Sequence, residues 1–232
     1  FITYINQRKN YSSHTLQSYA LDLEKFISFT QNTTDHPNTL TKRTCKQYLF
    51  FLETKNLTKK SITRHISTLR SFWDYLIKKH IVTENPWRKI HLPKLQKKLP
   101  TYLNTIKMTE FLNNIETDTI TGIRDRMICE LLYAAGLRVS ELHQLNINDI
   151  NLIDCECHVI GKGNKERIAI FAPYTKSHIT NYITNARPKW DKNLNNAFLI
   201  NKKGARMTTR SIQRIIKTHT QKQGIHENIT PH

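Results

Sequence analysis

The sequence predicts a mainly α-helical protein of two domains: a small helical bundle, then a mixed α/β domain with a small antiparallel sheet. Three observations predict it. Before residue 100, apolar residues recur at three- and four-residue steps, the period of a helix face, and no strand-like alternation interrupts them. Pro86, Pro93 and Pro100 then punctuate a basic segment without periodicity. Proline keeps such a segment extended, so a linker is expected over residues 86–102, between domains of residues 1–85 and 103–232. Beyond it, two short β-prone runs flank Gly161-Lys162-Gly163-Asn164, a turn rich in residues that tolerate positive φ.

Each element has its own signal. Phe1, Tyr4 and Ile5 read as part of a helix whose start is missing. Ser12 or Ser13 caps a second helix, with Leu16, Tyr19, Leu23, Phe26 and Ile27 as its buried stripe. Thr41 opens a third, with Cys45, Tyr48, Leu49 and Leu52 inward and Lys42, Arg43 and Lys46 outward. A fourth runs from about Thr58 to Lys79 on the stripe Ile62, Ile66, Leu69, Trp73, Leu76 and Ile77. Its polar side carries Lys59, Lys60, Arg64 and Arg70. In the second domain a short helix covers Thr105 to Ile115. The next buries Ile123, Met127, Ile128, Leu131 and Leu132 and ends at Gly136, where a residue without Cβ can turn left-handed. Another helix starts at once, with Leu142 and Leu145 inward. Cys155 to Ile160 and Arg167 to Phe171 read as strands, Pro173 starts a helix through Ala186, and Ala197 to Ile200 reads as a third strand. Thr208 caps a last helix, with Ile212, Ile215 and Ile216 inside and Gly224 closing it. Thr230-Pro231 is the signature of a further helix start, yet the sequence stops at His232; a longer protein is expected.

Charge narrows the function. Lys and Arg number 36 against 18 acids, a net +18 and a pI near 9.9. The excess is uneven, with residues 1–98 at net +12 and residues 99–232 at +6. Any single lysine on a helix is ordinarily a solvated charge, but +12 on a small bundle calls for a polyanion. No apolar run is long enough to span a bilayer and no signal peptide is recognisable, so nucleic acid is expected rather than a membrane. The four cysteines show no scaffold spacing, which points to a reducing cytoplasm. Cys155 and Cys157 alternate on an expected strand with His158 adjacent, too few ligands for a metal site. Neither a Walker loop nor a dinucleotide fingerprint is present.

Arg138 falls at the corner after Gly136, with Glu141 one helical turn on. By spacing alone this is an ordinary surface ion pair. The stretch Ala135-Gly136-Leu137-Arg138-Val139-Ser140-Glu141-Leu142, however, resembles the first catalytic-arginine motif of the tyrosine recombinases, especially the Xer type. Ile160-Gly161-Lys162-Gly163-Asn164-Lys165-Glu166-Arg167 is similar to that family's catalytic-lysine hairpin, and Thr230-Pro231-His232 to the start of its H-x-x-R motif. Ser61 to Phe72 resembles the DNA-facing helix of the family's core-binding domain. The resemblance implies a SAM-like helical core-binding domain followed by a recombinase catalytic domain, closing as a C-clamp on duplex DNA. It implies strand cleavage by a tyrosine hydroxyl, a 3′-phosphotyrosine intermediate, and rejoining without a cofactor.

That chemistry has stated needs. Charge spread over a phosphoryl transition state calls for fixed cations, and losing one such donor costs roughly 10²–10³ in rate. A departing 5′-alkoxide needs a proton, and a tyrosine of pKa about 10 needs help to attack. The resemblance gives Arg138 to the non-bridging oxygens, oriented by Glu141. It gives Lys162, 24 residues later, to protonation of the leaving oxygen, and His232 to the phosphate or the nucleophile's proton. Lys165, Arg167, Thr208 and Arg210 join Lys42, Arg43, Lys46, Lys59, Lys60, Arg64 and Arg70 as candidate DNA contacts. The family's second arginine and nucleophilic tyrosine would follow His232, so the 232 residues alone should bind DNA without cleaving it. Expected partners are a specific duplex site, further recombinase subunits in a tetramer, and a DNA translocase or accessory protein. The expected role is resolving chromosome or plasmid multimers at cell division. A phage or mobile-element integrase uses the same motifs, and a DNA-binding relative without catalysis would keep the fold. A basic RNA- or membrane-binding module would leave the Arg138 corner and the hairpin unexplained.

Overall fold

The computed structural model describes residues 1–9, 11–31, 40–92, 102–161, 163, 165–192 and 194–225. The chain divides into two compact units, Phe1–Lys98 and Leu99–His232, each with its own core.

Among its described residues the first unit is built of helices joined by turns: α1 (Ile2–Lys9), α2 (Ser13–Thr30), α3 (Lys42–Thr54) and α4 (Lys59–Lys78). Hydroxyls start three of them. Ser12, Thr41 and Thr58 accept from the amides of Thr15, Thr44 and Ser61, each satisfying a donor the helix cannot. Inward stripes meet in a core of Leu23, Phe26, Cys45, Tyr48, Leu52, Ile62, Ile66, Leu69 and Trp73. The expected stripe on α2 is corrected at Ile27, which is 52% exposed. Following Phe26 directly, it is rotated about 100° away from the buried line.

The linker expected from Pro86 is also corrected. Pro86–Lys89 forms a 3₁₀ turn, with Trp87 fully buried and Ile90 nearly so in the same core. Trp87 meets Phe26 edge-on at 5.4 Å between centroids and Trp73 at 6.0 Å. Arg70, expected on the polar side of α4, donates instead to the carbonyls of Trp87 (3.0 Å) and Ile90 (2.5 Å). Two backbone acceptors at the end of the turn are thereby satisfied. Pro93 and Pro100 lie outside the described residues.

The second unit contains α5 (Thr105–Asn113), α6 (Ile120–Ala135), α7 (Val139–Gln144), β1 (Ile150–Asn151), β2 (Glu156–Ile160), β3 (Glu166–Ile170), α8 (Pro173–Asn181) and α9 (Thr209–Lys222). A π-helical turn, Tyr182–Ala186, continues α8. The sheet is antiparallel in the order β1-β2-β3, with Cys157 opposite Ala169 and His158 opposite Ile168. Cys157 and Ala169 face the core, which also takes Met127, Ile128 and Leu131 of α6 and Leu142 of α7.

The third strand is therefore β1, not Ala197 to Ile200. That run is 0–1% exposed and, among the described residues, touches other strand-like backbone through single bridges, Asn146 with Ala197 and Ile200 with Arg206. A run buried on every side lacks the alternation that marks a sheet face. Cys155 sits in the turn before β2 at φ 56°, and Cys157 is buried while His158 lies on the opposite face. Among the described residues, no three His, Cys, Asp or Glu gather around a common metal position.

Candidate functional site at the Arg138 corner

The site begins with Gly136. Its φ of 55° ends α6 in the left-handed region, and α7 starts after only Leu137 and Arg138. Leu137 and Val139, 2% and 3% exposed, anchor both sides of the corner in the core. Arg138 between them is left 54% exposed. A side chain that long would sample many rotamers in water, but Glu141 holds this one.

Glu141 is the pivot. Its side chain is 1% exposed, and its two oxygens have separate tasks. Oε1 accepts from Nη1 of Arg138 at 2.7 Å. Oε2 accepts from the Arg138 backbone amide at 2.8 Å and from Nη2 of Arg167 on β3 at 2.9 Å. Burial alone would raise the Glu141 carboxyl, but the hydrogen bonds from Arg167 and from the amide and guanidinium of Arg138 outweigh it. The group is held below the ordinary carboxylate value and is ionised at neutral pH. The carboxylate thus fixes one edge of the Arg138 guanidinium and leaves the rest facing out.

The root of the β2–β3 hairpin lies against this pair. The Gly161 amide donates to the Lys165 carbonyl at 2.7 Å, closing the ladder below the tip. A Cβ on Gly161 would come within 3.3 Å of Glu141 Oε1 and 3.7 Å of Arg138 Nη1. Glycine lets the hairpin come that close. Lys162 and His232 lie outside the described residues.

The remaining expected contacts divide into two groups. Lys42, Arg43 and Lys46 on α3, Lys59 and Lys60 at the start of α4, Lys165 on the hairpin and Arg210 on α9 are all exposed. Four others are engaged within the protein. Arg64 pairs with the buried Asp22 at 2.5 Å, and Arg70 holds the 3₁₀ turn. Arg167 turns to Glu141 and to the Gly136 carbonyl, and the Thr208 hydroxyl caps α9 through the Ser211 amide. One residue that braces the site had no sequence signal. Arg206 donates through Nη1 to the carbonyls of His143, Gln144 and Leu145 and through Nη2 to Asn146 Oδ1, fixing the end of α7. A lone arginine after a glycine turn carries no periodicity to betray that role.

A cavity of about 560 Å³ opens between α7 and the hairpin, lined by Glu141, Asp149, His158, Glu166 and Arg167 among others. Arg138 does not line it, and three carboxylates do. Glu141 is paired with Arg138 and Arg167, which leaves Asp149 and Glu166 as the other two acids of the lining, while the unpaired edge of the Arg138 guanidinium opens to solvent outside the cavity.

Residues 102–232 match the phage integrase family, and residues 1–80 match the phage integrase N-terminal SAM-like domain. The chain is 33% identical over 232 residues to a tyrosine recombinase XerC of Staphylococcus saprophyticus, covering all of this chain and 78% of that protein. It is 33% identical over 234 residues to the XerD of the same organism, covering all of this chain and 79% of that one. In fold it is similar to a XerH site-specific recombinase bound to palindromic difH substrate. That match has a TM-score of 0.74 at 20% identity, over 95% of this chain and 66% of that one. With both domain matches in order along the sequence and relatives aligned over its whole length, the chain belongs to the phage integrase family and is a tyrosine recombinase of the Xer type.

Proposed function

We propose that this site-specific recombinase cuts one strand of a duplex site at a time and rejoins it through a 3′-phosphotyrosine, resolving chromosome or plasmid multimers. The observation that carries the reading is the Arg138 corner: a guanidinium gripped along one edge by a buried carboxylate, half exposed otherwise, beside the root of the lysine hairpin. Such a guanidinium offers a preset fork of donors to the non-bridging oxygens of a phosphodiester, and needs no rearrangement when charge builds there. In the reaction a tyrosine oxygen attacks phosphorus and the 5′-oxygen departs with a proton. Lys162 is the donor of that proton, and His232 assists at the phosphate or the nucleophile. The phosphotyrosine keeps the phosphodiester's energy, so attack by a 5′-hydroxyl reverses the step without a cofactor.

None of the deeply buried tyrosines suits the nucleophile's part. Tyr48 and Tyr182 are wholly enclosed, and burial pushes the Tyr182 hydroxyl up to about 12 and the Tyr48 hydroxyl higher still. The chain spans 78% of the length of the XerC relative, and we propose that the nucleophile and a second arginine belong to the part of the protein outside these 232 residues. Relatives bearing the names XerC and XerD support the Xer role, and the XerH complex supports duplex DNA as the partner. We further propose assembly as a recombinase tetramer on paired sites.

The test uses protein expressed from the whole reading frame and a nicked duplex that carries a site selected by that protein from a random library. The wild type should become covalently attached to DNA on a denaturing gel. Arg138→Ala should lower the single-turnover rate roughly 10²–10³-fold, and Lys162→Ala should lower it as well. Adduct formation by Arg138→Ala at the wild-type rate would refute the assignment.

A further inference from the structure

Resting on that reading, we infer that Arg167 is a positioning residue for the cleavage step: it acts through Glu141 to set the Arg138 guanidinium and tie it to the lysine hairpin. A basic residue just past a DNA-facing hairpin is by default a phosphate contact. The geometry directs it elsewhere. Its Nη2 donates to Glu141 Oε2 at 2.9 Å and to the Gly136 carbonyl at 3.2 Å. The first partner is the carboxylate that grips Arg138, and the second is the residue that makes the corner.

Glu141 would be a poor anchor without it. A carboxylate 1% exposed must be neutralised, and the Arg138 guanidinium that helps to do so is itself 54% in water. Arg167 supplies the second cation, at 38% exposure. Among the causes holding the Glu141 carboxyl low, the hydrogen bond from Arg167 outranks either bond from Arg138. With Oε2 occupied by Arg167 and the Arg138 amide, only Oε1 remains for the Arg138 guanidinium, and one rotamer results. Arg167 also belongs to β3, whose first residue Glu166 pairs with Ile160, so the same bond sets the hairpin against the corner. Gly161, with no side chain to intervene, leaves that contact closed. One carboxylate therefore fixes the clamp arginine and the base of the loop that carries Lys162. Because reacting groups misplaced by about an ångström lose about 10²-fold in rate, the bond belongs to catalysis as well as to stability.

The experiment compares Arg167→Ala, Arg167→Lys, Glu141→Gln and the double variant Glu141→Gln/Arg167→Ala, as whole-reading-frame proteins on the selected nicked duplex. Duplex affinity and the single-turnover rate of adduct formation by pre-bound protein are measured separately. Arg167→Ala is expected to lower the rate of bound complexes by about 10- to 100-fold with affinity within about threefold. Arg167→Lys, which keeps one donor for Oε2, should recover part of the rate. The double variant should be no slower than Glu141→Gln alone, because the effect passes through that carboxylate. If Arg167→Ala does not fold, Arg167→Lys against the Glu141→Gln background carries the same comparison. Tenfold weaker binding with an unchanged rate of bound complexes would make Arg167 a phosphate contact and overturn the inference. Additive losses in the double variant would overturn it too. A wild type that forms no adduct sinks the recombinase reading itself, a result distinct from either.

Discussion

At the scale of single residues, one carboxylate does work that charge counting would miss. Glu141 is an acid in a chain of net +18, yet its removal should damage the DNA-cleaving surface more than that of most lysines. Its folded-state pKa lies below the ordinary 4.5, so its contribution to stability is present above that pH and is lost as pH falls through the folded value. Glu141→Gln should therefore cost about 1–3 kcal/mol at pH 7, nearer the low end because both guanidiniums are partly in water. Urea titrations from pH 7 to pH 3 should show the wild type losing that advantage as the acid limb is entered, while the variant's profile is flatter there. An equal fall in both proteins would mean that the carboxylate's charge contributes nothing. The Arg138–Glu141 pairing could be read from a three-residue spacing on a helix. The Arg167–Glu141 pairing could not, because it spans 26 positions and depends on how a hairpin folds back.

At the scale of elements, local rules fixed the helices and long-range packing fixed the exceptions. Hydroxyl caps at Ser12, Thr41, Thr58 and Thr208 and the left-handed Gly136 lie where spacing and side-chain chemistry put them. The turn at Pro86–Lys89 lay beyond such reasoning. A tryptophan between a proline and basic residues has no periodic neighbours, and its burial depends on rings contributed by α2, α3 and α4. Arg70 makes the turn permanent. Arg70→Ala should remove two charge-assisted bonds to part-buried carbonyls and destabilise the first unit by about 1–3 kcal/mol. Urea unfolding followed by tryptophan fluorescence would measure it, and a midpoint equal to wild type would assign those carbonyls to water. Lys42 and Lys46, exposed on α3, should leave the same midpoint unchanged when replaced.

At the scale of the whole molecule, two domains and a basic balance were legible in the sequence, whereas the turn at Pro86–Lys89 belongs to the first core and not to an extended segment. Prolines mark where a helix cannot continue, and they do not show which core claims the residues between them. On the proposed reading, the exposed cations Lys42, Arg43, Lys46, Lys59, Lys60, Lys165 and Arg210 should make duplex binding strongly dependent on salt. If each neutralises one phosphate, the logarithm of affinity should fall with the logarithm of salt at a slope of about −6. Lys42→Ala/Lys46→Ala should reduce the slope to about −4.5. Replacing Arg64 or Arg70, whose donors are engaged inside the protein, should change it little. An unaltered slope in the double-lysine variant would remove α3 from the interface.

The thiols have a practical consequence. Burial pushes Cys45 up to about 12, Cys157 up to about 11 and Cys129 higher still, so at neutral pH all three stay protonated and shielded from alkylating reagents. Cys155 alone is partly open to solvent, in the turn that feeds β2. Of these four thiols, Cys155 should therefore be the one that a maleimide dye labels. It would report, in one molecule at a time, what the β2–β3 hairpin does when duplex DNA is added.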